Sequence, residues 1–210
     1  MSKFQSTKVI ELGSCAFRQP HAHGTRCQLL HGYKLTAKFW FGASALDERN
    51  WVVNFGGLKE LKTKLNDQFD HTLTVAADDP LLPLFQQLHD AGGCDLRVMN
   101  KGVGIERVAE FCYEVADKHV REMTNNRCWV DQVEVFEHEL NSATYIPTST
   151  ESHDSTTTLD NIVETVVPVG VTVQAEQQAT PQHNPRAAHV GPNVSSGKGD
   201  WFAGTSWGDK

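Results

Sequence analysis

Apolar and polar residues alternate most cleanly between Tyr33 and Gly42. There Leu35, Ala37, Phe39 and Phe41 fall on one face, and Lys34, Thr36, Lys38 and Trp40 on the other. A period of two held over this length predicts a half-buried strand. Thr7 to Phe17 reads as a strand before it. Arg127 to Glu139 alternates again through Trp129, Val133 and Phe136, and Asn141 to Tyr145 leads into a short fourth strand. Between the pairs the period lengthens. Asn54 is a good N-cap, and Leu58, Leu61, Leu65 and Phe69 then recur at helical spacing. Glu106 to Glu122 repeats the pattern with Val108, Phe111, Cys112, Val115 and Val120. The predicted order is strand-strand-helix-helix-strand-strand, an α+β sheet with both helices on one face.

The pattern stops near Tyr145-Ile146-Pro147. Residues 148–210 open with a Thr/Ser-rich run, and Gln174 to Lys210 is rich in Gln, Pro, Gly, Ser, Asn and His. This composition buries too little apolar surface to offset its ordering entropy, so the reading is a domain over 1–147 and a mostly disordered tail over 148–210. Within the tail, Leu159 to Val173 has the apolar content of a short strand or helix, and Trp201-Phe202 with Trp207 is either solvated or a docking element. Hydrophobic residues are 39% of the 210, in keeping with that division. A formal charge of −7 and a pI near 5.8 argue against a nucleic-acid-binding surface. No apolar run reaches the roughly 20 residues that span a bilayer. Five cysteines at irregular spacing, without a Cys-x-x-Cys pair, suit reduced thiols in a cytoplasm better than a disulfide framework.

Chemistry concentrates in a few segments. Cys27 precedes His31 by four residues, and an Asp70-His71 pair follows about forty residues later, which together are the parts of an acid/base site. A carboxylate beside an imidazole fixes its tautomer and raises its basicity; the same dipeptide also suits a polar helix C-terminus. His21-Ala22-His23 places two imidazoles on one side of an extended segment, either a solvated loop or two ligands that join His31 at one metal ion.

Several segments in order carry a resemblance. They are Ser14-Cys15-Ala16-Phe17-Arg18, Cys27 with His31-Gly32-Tyr33, Trp51 to Lys59, Asp70-His71, Gly104-Ile105-Glu106, and Val133 to Glu137 followed by Tyr145. In this register, over Val9 to Tyr145, the chain resembles the 6-pyruvoyl-tetrahydropterin synthase / 6-carboxy-tetrahydropterin synthase family. Its phrasing around Phe17-Arg18-Gln19, Leu30 to Tyr33 and Lys38 to Gly42 looks most like a phage-encoded branch, which would work in a host cytoplasm.

The resemblance implies the tunnelling fold, a four-stranded antiparallel sheet with two helices on one face that closes into a barrel on hexamer-like oligomerisation. It implies conversion of 7,8-dihydroneopterin triphosphate on a route to 7-deazaguanines such as queuosine. Cys27 would be the proton-abstracting thiolate, Asp70 and His71 a relay supplied by a neighbouring subunit, and Glu137 the carboxylate that pairs with the pterin's pyrimidine edge. Glu106 would cap its helix and meet the same pocket. Family members hold zinc with three histidines, but Phe17 and Tyr33 occupy two of those positions and leave His31, so a zinc site here would have to recruit His21 and His23. The alternative implied is a retired family member that binds a pterin- or guanine-like ligand, or an oligomeric scaffold.

Overall fold

The computed structural model describes residues 3–148. The proposed tail, with Leu159 to Val173 and the Trp201, Phe202 and Trp207 cluster, lies outside the described residues.

Six strands form one mixed sheet in the order β4-β3-β1-β2-β5-β6. In chain order they are β1 (Phe4–Phe17), β2 (His31–Ala43), β3 (Thr72–Ala76), β4 (Leu96–Met99), β5 (Cys128–His138) and β6 (Asn141–Tyr145). The helices are α1 (Lys59–Phe69), α2 (Leu82–Asp90) and α3 (Ile105–Thr124). The antiparallel quartet β1-β2-β5-β6 and the helices α1 and α3 match the predicted order. The expectation of four strands and two helices is corrected by β3, α2 and β4, which add two parallel strands on the far side of β1. All five residues of β3, Thr-Leu-Thr-Val-Ala, are buried. The run is only five residues long, and its alternating Thr72 and Thr74 are buried along with Leu73 and Val75, so polarity there does not mark an outer face.

The main core lies between the sheet and α1 and α3. Leu35, Ala37, Phe39 and Phe41 of β2 are fully buried, as their alternation predicts. They meet Leu61, Leu65 and Phe69 of α1 and Val108, Cys112 and Val120 of α3. Each large apolar side chain so covered contributes about 1.5–3 kcal/mol. Asn54 caps as expected, but it caps a 3-10 turn (Phe55–Leu58) that leads into α1, its side chain accepting from the Gly56 N–H at 2.9 Å. A smaller cluster, Leu73, Val75 and Phe85, packs α2 against the added strands.

Bulges break the strand period at three places. In β1 the register shifts between Glu11 and Gly13, with Leu12 the extra residue, so burial passes from Ile10 and Leu12 to Cys15 and Phe17. In β5 Asp131 is extra between the Trp40–Gln132 and Phe41–Val130 pairs. This corrects the alternation read through Trp129, Val133 and Phe136. The strand buries Cys128 and Val130 before the bulge and Val133 and Val135 after it, and leaves Trp129 and Phe136 half-buried. The third bulge falls at Glu137, between the Phe136–Ser142 and His138–Asn141 pairs.

Candidate functional site

Glu137 is the extra residue of the last bulge, so its side chain leaves the strand's alternation and turns into a cavity of about 430 Å³. Ile105, Glu106, Gln19, Leu140, Asn141 and Ser142 line the rest. The volume is typical of small-molecule sites, about 300–1,000 Å³. Glu106 stands in the first turn of α3, where a carboxylate suits the helix N-terminus. Two sequence-predicted binding residues therefore share one cavity.

Gln19, which the sequence offers only within the Phe17-Arg18-Gln19 phrasing and not as a binding residue, reaches the cavity from a loop. Its carboxamide lies directly over Gly104, whose φ of 121° belongs to glycine. A Cβ on residue 104 would collide with the Gln19 amide nitrogen and come within 3.4 Å of Glu106 Oε2. Gly104 thus opens the space into which Gln19 brings a neutral donor and acceptor beside two carboxylates.

Cys27 sits in the loop that joins β1 to β2, on a 3-10 turn (Arg26–Gln28) capped by Thr25. The Thr25 hydroxyl accepts from the Cys27 N–H at 3.2 Å and donates to the Ala22 carbonyl at 2.8 Å. The Cys27 carbonyl accepts from the Gln19 N–H at 2.9 Å, which fixes the Cys27 backbone beside a residue of the Glu137 cavity. Its thiol is exposed. At the foot of the same loop Arg18 pairs with buried Asp79 at 3.5 Å.

Asp70 and His71 form the expected pair, His71 Nδ1 lying 2.9 Å from Asp70 Oδ1. A carboxylate only accepts, so Nδ1 carries the proton and Nε2 faces outward. Both residues are pinned to the β1 bulge: Asp70 Oδ1 accepts from the Ser14 N–H at 3.1 Å, and the His71 N–H donates to the Ser14 carbonyl at 2.7 Å. His71 itself is held at φ 61°, a left-handed conformation uncommon outside glycine. His71 borders a second cavity of about 500 Å³, with Ser14, Tyr33, Lys34, Thr72 and Cys94 among its walls. No residue lines both cavities, so within one chain the Asp70–His71 pair and the Glu137 cavity are separate.

The imidazoles named as metal ligands are not gathered. His21 Nε2 lies 2.7 Å from the Asp78 carboxylate, which holds the Asp78 carboxyl below its usual range. His23 faces His21 edge-on at 6.4 Å between ring centroids. His31 Nδ1 donates to the Leu29 carbonyl at 2.7 Å and stacks among Phe17 and Tyr33 instead. Among the described residues no three His, Cys, Asp or Glu side chains are placed to hold a metal ion. The donor set does not fit zinc.

All five cysteines are unpaired. Burial pushes the thiols of Cys112 and Cys128 up, that of Cys128 to about 11. Buried Cys15 is raised for the same reason, opposed by hydrogen bonds to Thr74 and Thr72.

Residues 10–148 match the family model described as 6-pyruvoyl tetrahydropterin synthase. A 6-carboxy-5,6,7,8-tetrahydropterin synthase of Rickettsia conorii is 30% identical over 88 residues, which cover 41% of this chain and 62% of that protein. A protein of the same name from Aquifex aeolicus is 24% identical over 98 residues, 46% of this chain and 60% of that one. The matches thus span about three fifths of the length of these curated relatives. Among solved structures, an uncharacterized protein of Wolinella succinogenes superposes with a TM-score of 0.60 at 17% identity, covering 70% of this chain and all of that one. Plasmodium vivax 6-pyruvoyltetrahydropterin synthase, as a catalytic-residue mutant, gives 0.53 at 16% identity, covering 70% and 99%. At these identities the structural likeness is one of fold alone.

Proposed function

The chain belongs to the 6-pyruvoyl tetrahydropterin synthase family, and we propose that it binds a pterin through Glu137 and acts on it as a 6-carboxytetrahydropterin synthase-like lyase. The proposed substrate is 7,8-dihydroneopterin triphosphate, in a 7-deazaguanine route of the queuosine type. The observation that carries the reading is the Glu137 bulge, which turns a carboxylate into a cavity already holding Glu106 and Gln19. A carboxylate takes the two adjacent N–H groups of a 2-amino-4-oxo pyrimidine in bidentate fashion, and a carboxamide can both donate to and accept from the remaining edge.

In this reading Cys27, tied by its carbonyl to Gln19, is the proton-abstracting group. The Asp70–His71 pair lies at the other cavity, so it serves the reaction across an interface between copies of the chain, in a closed hexamer-like ring. Light scattering that finds a stable monomer at micromolar concentration would remove the shared site from the proposal. No step is assigned to a metal.

A second reading, a family member that binds a pterin without turning it over, is favoured by one observation: phenyl and phenol rings stand beside His31. One experiment separates the two. Wild type, Glu137→Ala and Cys27→Ala are incubated with 7,8-dihydroneopterin triphosphate, and binding and product are followed independently. Loss of the charge-assisted pair at Glu137 should weaken binding by about 10- to 100-fold under either reading. Cys27→Ala should spare binding and lower turnover by about 10²–10⁴-fold if the chain is an enzyme. Wild type that binds without product leaves the binder; Glu137→Ala that binds like wild type removes both.

A further inference from the structure

Three rings from two paired strands close one end of the main core. Pairing sets Phe17, the last residue of β1, opposite His31, the first of β2. Tyr33, two residues along β2, faces the same side. The ring centroids lie 4.8 Å apart for Phe17–His31, 5.5 Å for His31–Tyr33 and 6.1 Å for Phe17–Tyr33. Three imidazoles on a tetrahedral zinc, with Zn–N bonds of about 2.1 Å, have centroids about 3.2 Å from the ion and so about 5.2 Å from one another. The observed triangle brackets that separation. The backbone therefore presents three rings as a three-histidine metal centre does, while two of the rings bring no usable donor. A phenyl ring has no lone pair, and a neutral phenol is a poor zinc ligand.

We infer that this cluster is a metal centre converted in place to a metal-free aromatic clamp, which two substitutions, Phe17→His and Tyr33→His, reopen. The remaining imidazole is set for a different task. A carbonyl only accepts, so in the contact with Leu29 His31 Nδ1 is the donor, and Nε2 is the ring nitrogen that Leu29 does not engage. Phe17 packs tilted against that ring and Tyr33 stands edge-on to it at 83°. The clamp fixes a single imidazole through Nδ1 and through the two rings beside it. Phe17, 2% exposed, has the apolar burial that a phenyl ring satisfies and a metal-bound imidazole does not need.

The test measures metal alone and needs no pterin, so its failure and the failure of the Glu137 reading are told apart. The full chain, purified without a histidine tag, is analysed for zinc and titrated with zinc chloride by calorimetry, with folding checked by circular dichroism. Wild type should carry below about 0.1 zinc per chain, and the Phe17→His/Tyr33→His variant close to one, lost again when His31→Ala is added. Phe17→His puts a polar ring into the core, so Tyr33→His alone provides a second arm with the core intact. It sets two imidazoles on one strand face and should bind zinc at least about tenfold more tightly than wild type. Wild type that holds one zinc per chain, removed by His31→Ala, would overturn the inference. So would a folded double variant, or a folded Tyr33→His variant, with no gain in zinc affinity.

Discussion

Gly13→Ala tests how the Asp70–His71 pair is held. Gly13 has φ 99° beside the bulge of β1, and an ideal Cβ there would fall onto the Cβ, Cγ and Oδ1 atoms of Asp70. A side chain in the left-handed half of the map costs about 1–2 kcal/mol. The whole Asp70 side chain, Cβ included, must also be displaced and give up the Ser14 N–H, a hydrogen bond to a charged acceptor worth about 1.5–3 kcal/mol. The expected loss is about 2.5–5 kcal/mol, a large share of a typical domain's roughly 5–15. Urea unfolding reads it directly, as a lower midpoint at unchanged slope. A double-mutant cycle with Asp70→Gly separates the two parts. Asp70 has φ −78° and ψ 120°, which glycine adopts freely, and its removal deletes the three atoms nearest the new methyl. In that background Gly13→Ala should cost only the backbone part, giving a coupling of about 1.5–3 kcal/mol. A coupling below about 0.5 kcal/mol would show that Gly13 is required for its dihedral alone and that the carboxylate clamp contributes nothing.

Gly104→Ala should displace the Gln19 amide and weaken pterin binding by about tenfold at unchanged oligomeric state, whereas Gln19→Leu alone should lose the same polar contact with Gly104 intact; equal binding by both variants and wild type would remove Gln19 from the site. Iodoacetamide at pH 8 should modify exposed Cys27 first and leave Cys15, Cys112 and Cys128 untouched until the chain is unfolded, as read by peptide mass mapping. The same buried thiols set a pH dependence. Their folded pKa values are raised above the unfolded ones, so their contribution is whole below the ordinary thiol range. It falls as pH rises through that range towards about 11, where Cys128 ionises in the fold, and denaturant midpoints measured between pH 8 and 11 should decline.

The strands β1, β2, β5 and β6 and the helices α1 and α3 were legible, most plainly where the apolar period is unbroken. Leu35 to Phe41 alternates for the length of β2, and Leu58 to Phe69 keeps its helical stripe into α1. Resemblance placed Glu137, Glu106, Asp70 and His71, and the structure gathers them as two pairs, one in the Glu137 cavity and one at the second cavity. It does not gather His21, His23 and His31, since Asp78 and the Leu29 carbonyl engage two of them first. What stayed hidden has physical causes. Thr72 to Ala76 is a five-residue run covered on both faces, too short for its period to be read. Gln19 acts from an irregular loop, where position depends on tertiary contacts and not on period.

The bulges explain why pattern and chemistry part company in this chain. A strand without a bulge sends alternate side chains to the core and to the outside, and leaves no third direction in which to aim a functional group. An extra residue supplies one, at the cost of the period that makes the strand readable. At Glu11 to Gly13 the extra residue brings the Ser14 amide and carbonyl to Asp70 and His71, and switches Cys15 and Phe17 into the core. At Asp131 it points a carboxylate to the outer face, where Trp129 Nε1 and Gln5 Nε2 donate to it at 2.8 Å each. At Glu137 it frees a carboxylate for the cavity. An isolated Gly13 inside the first strand is the local sign of the first bulge. The other two are set by the partner strands β2 and β6, across which no local pattern reports.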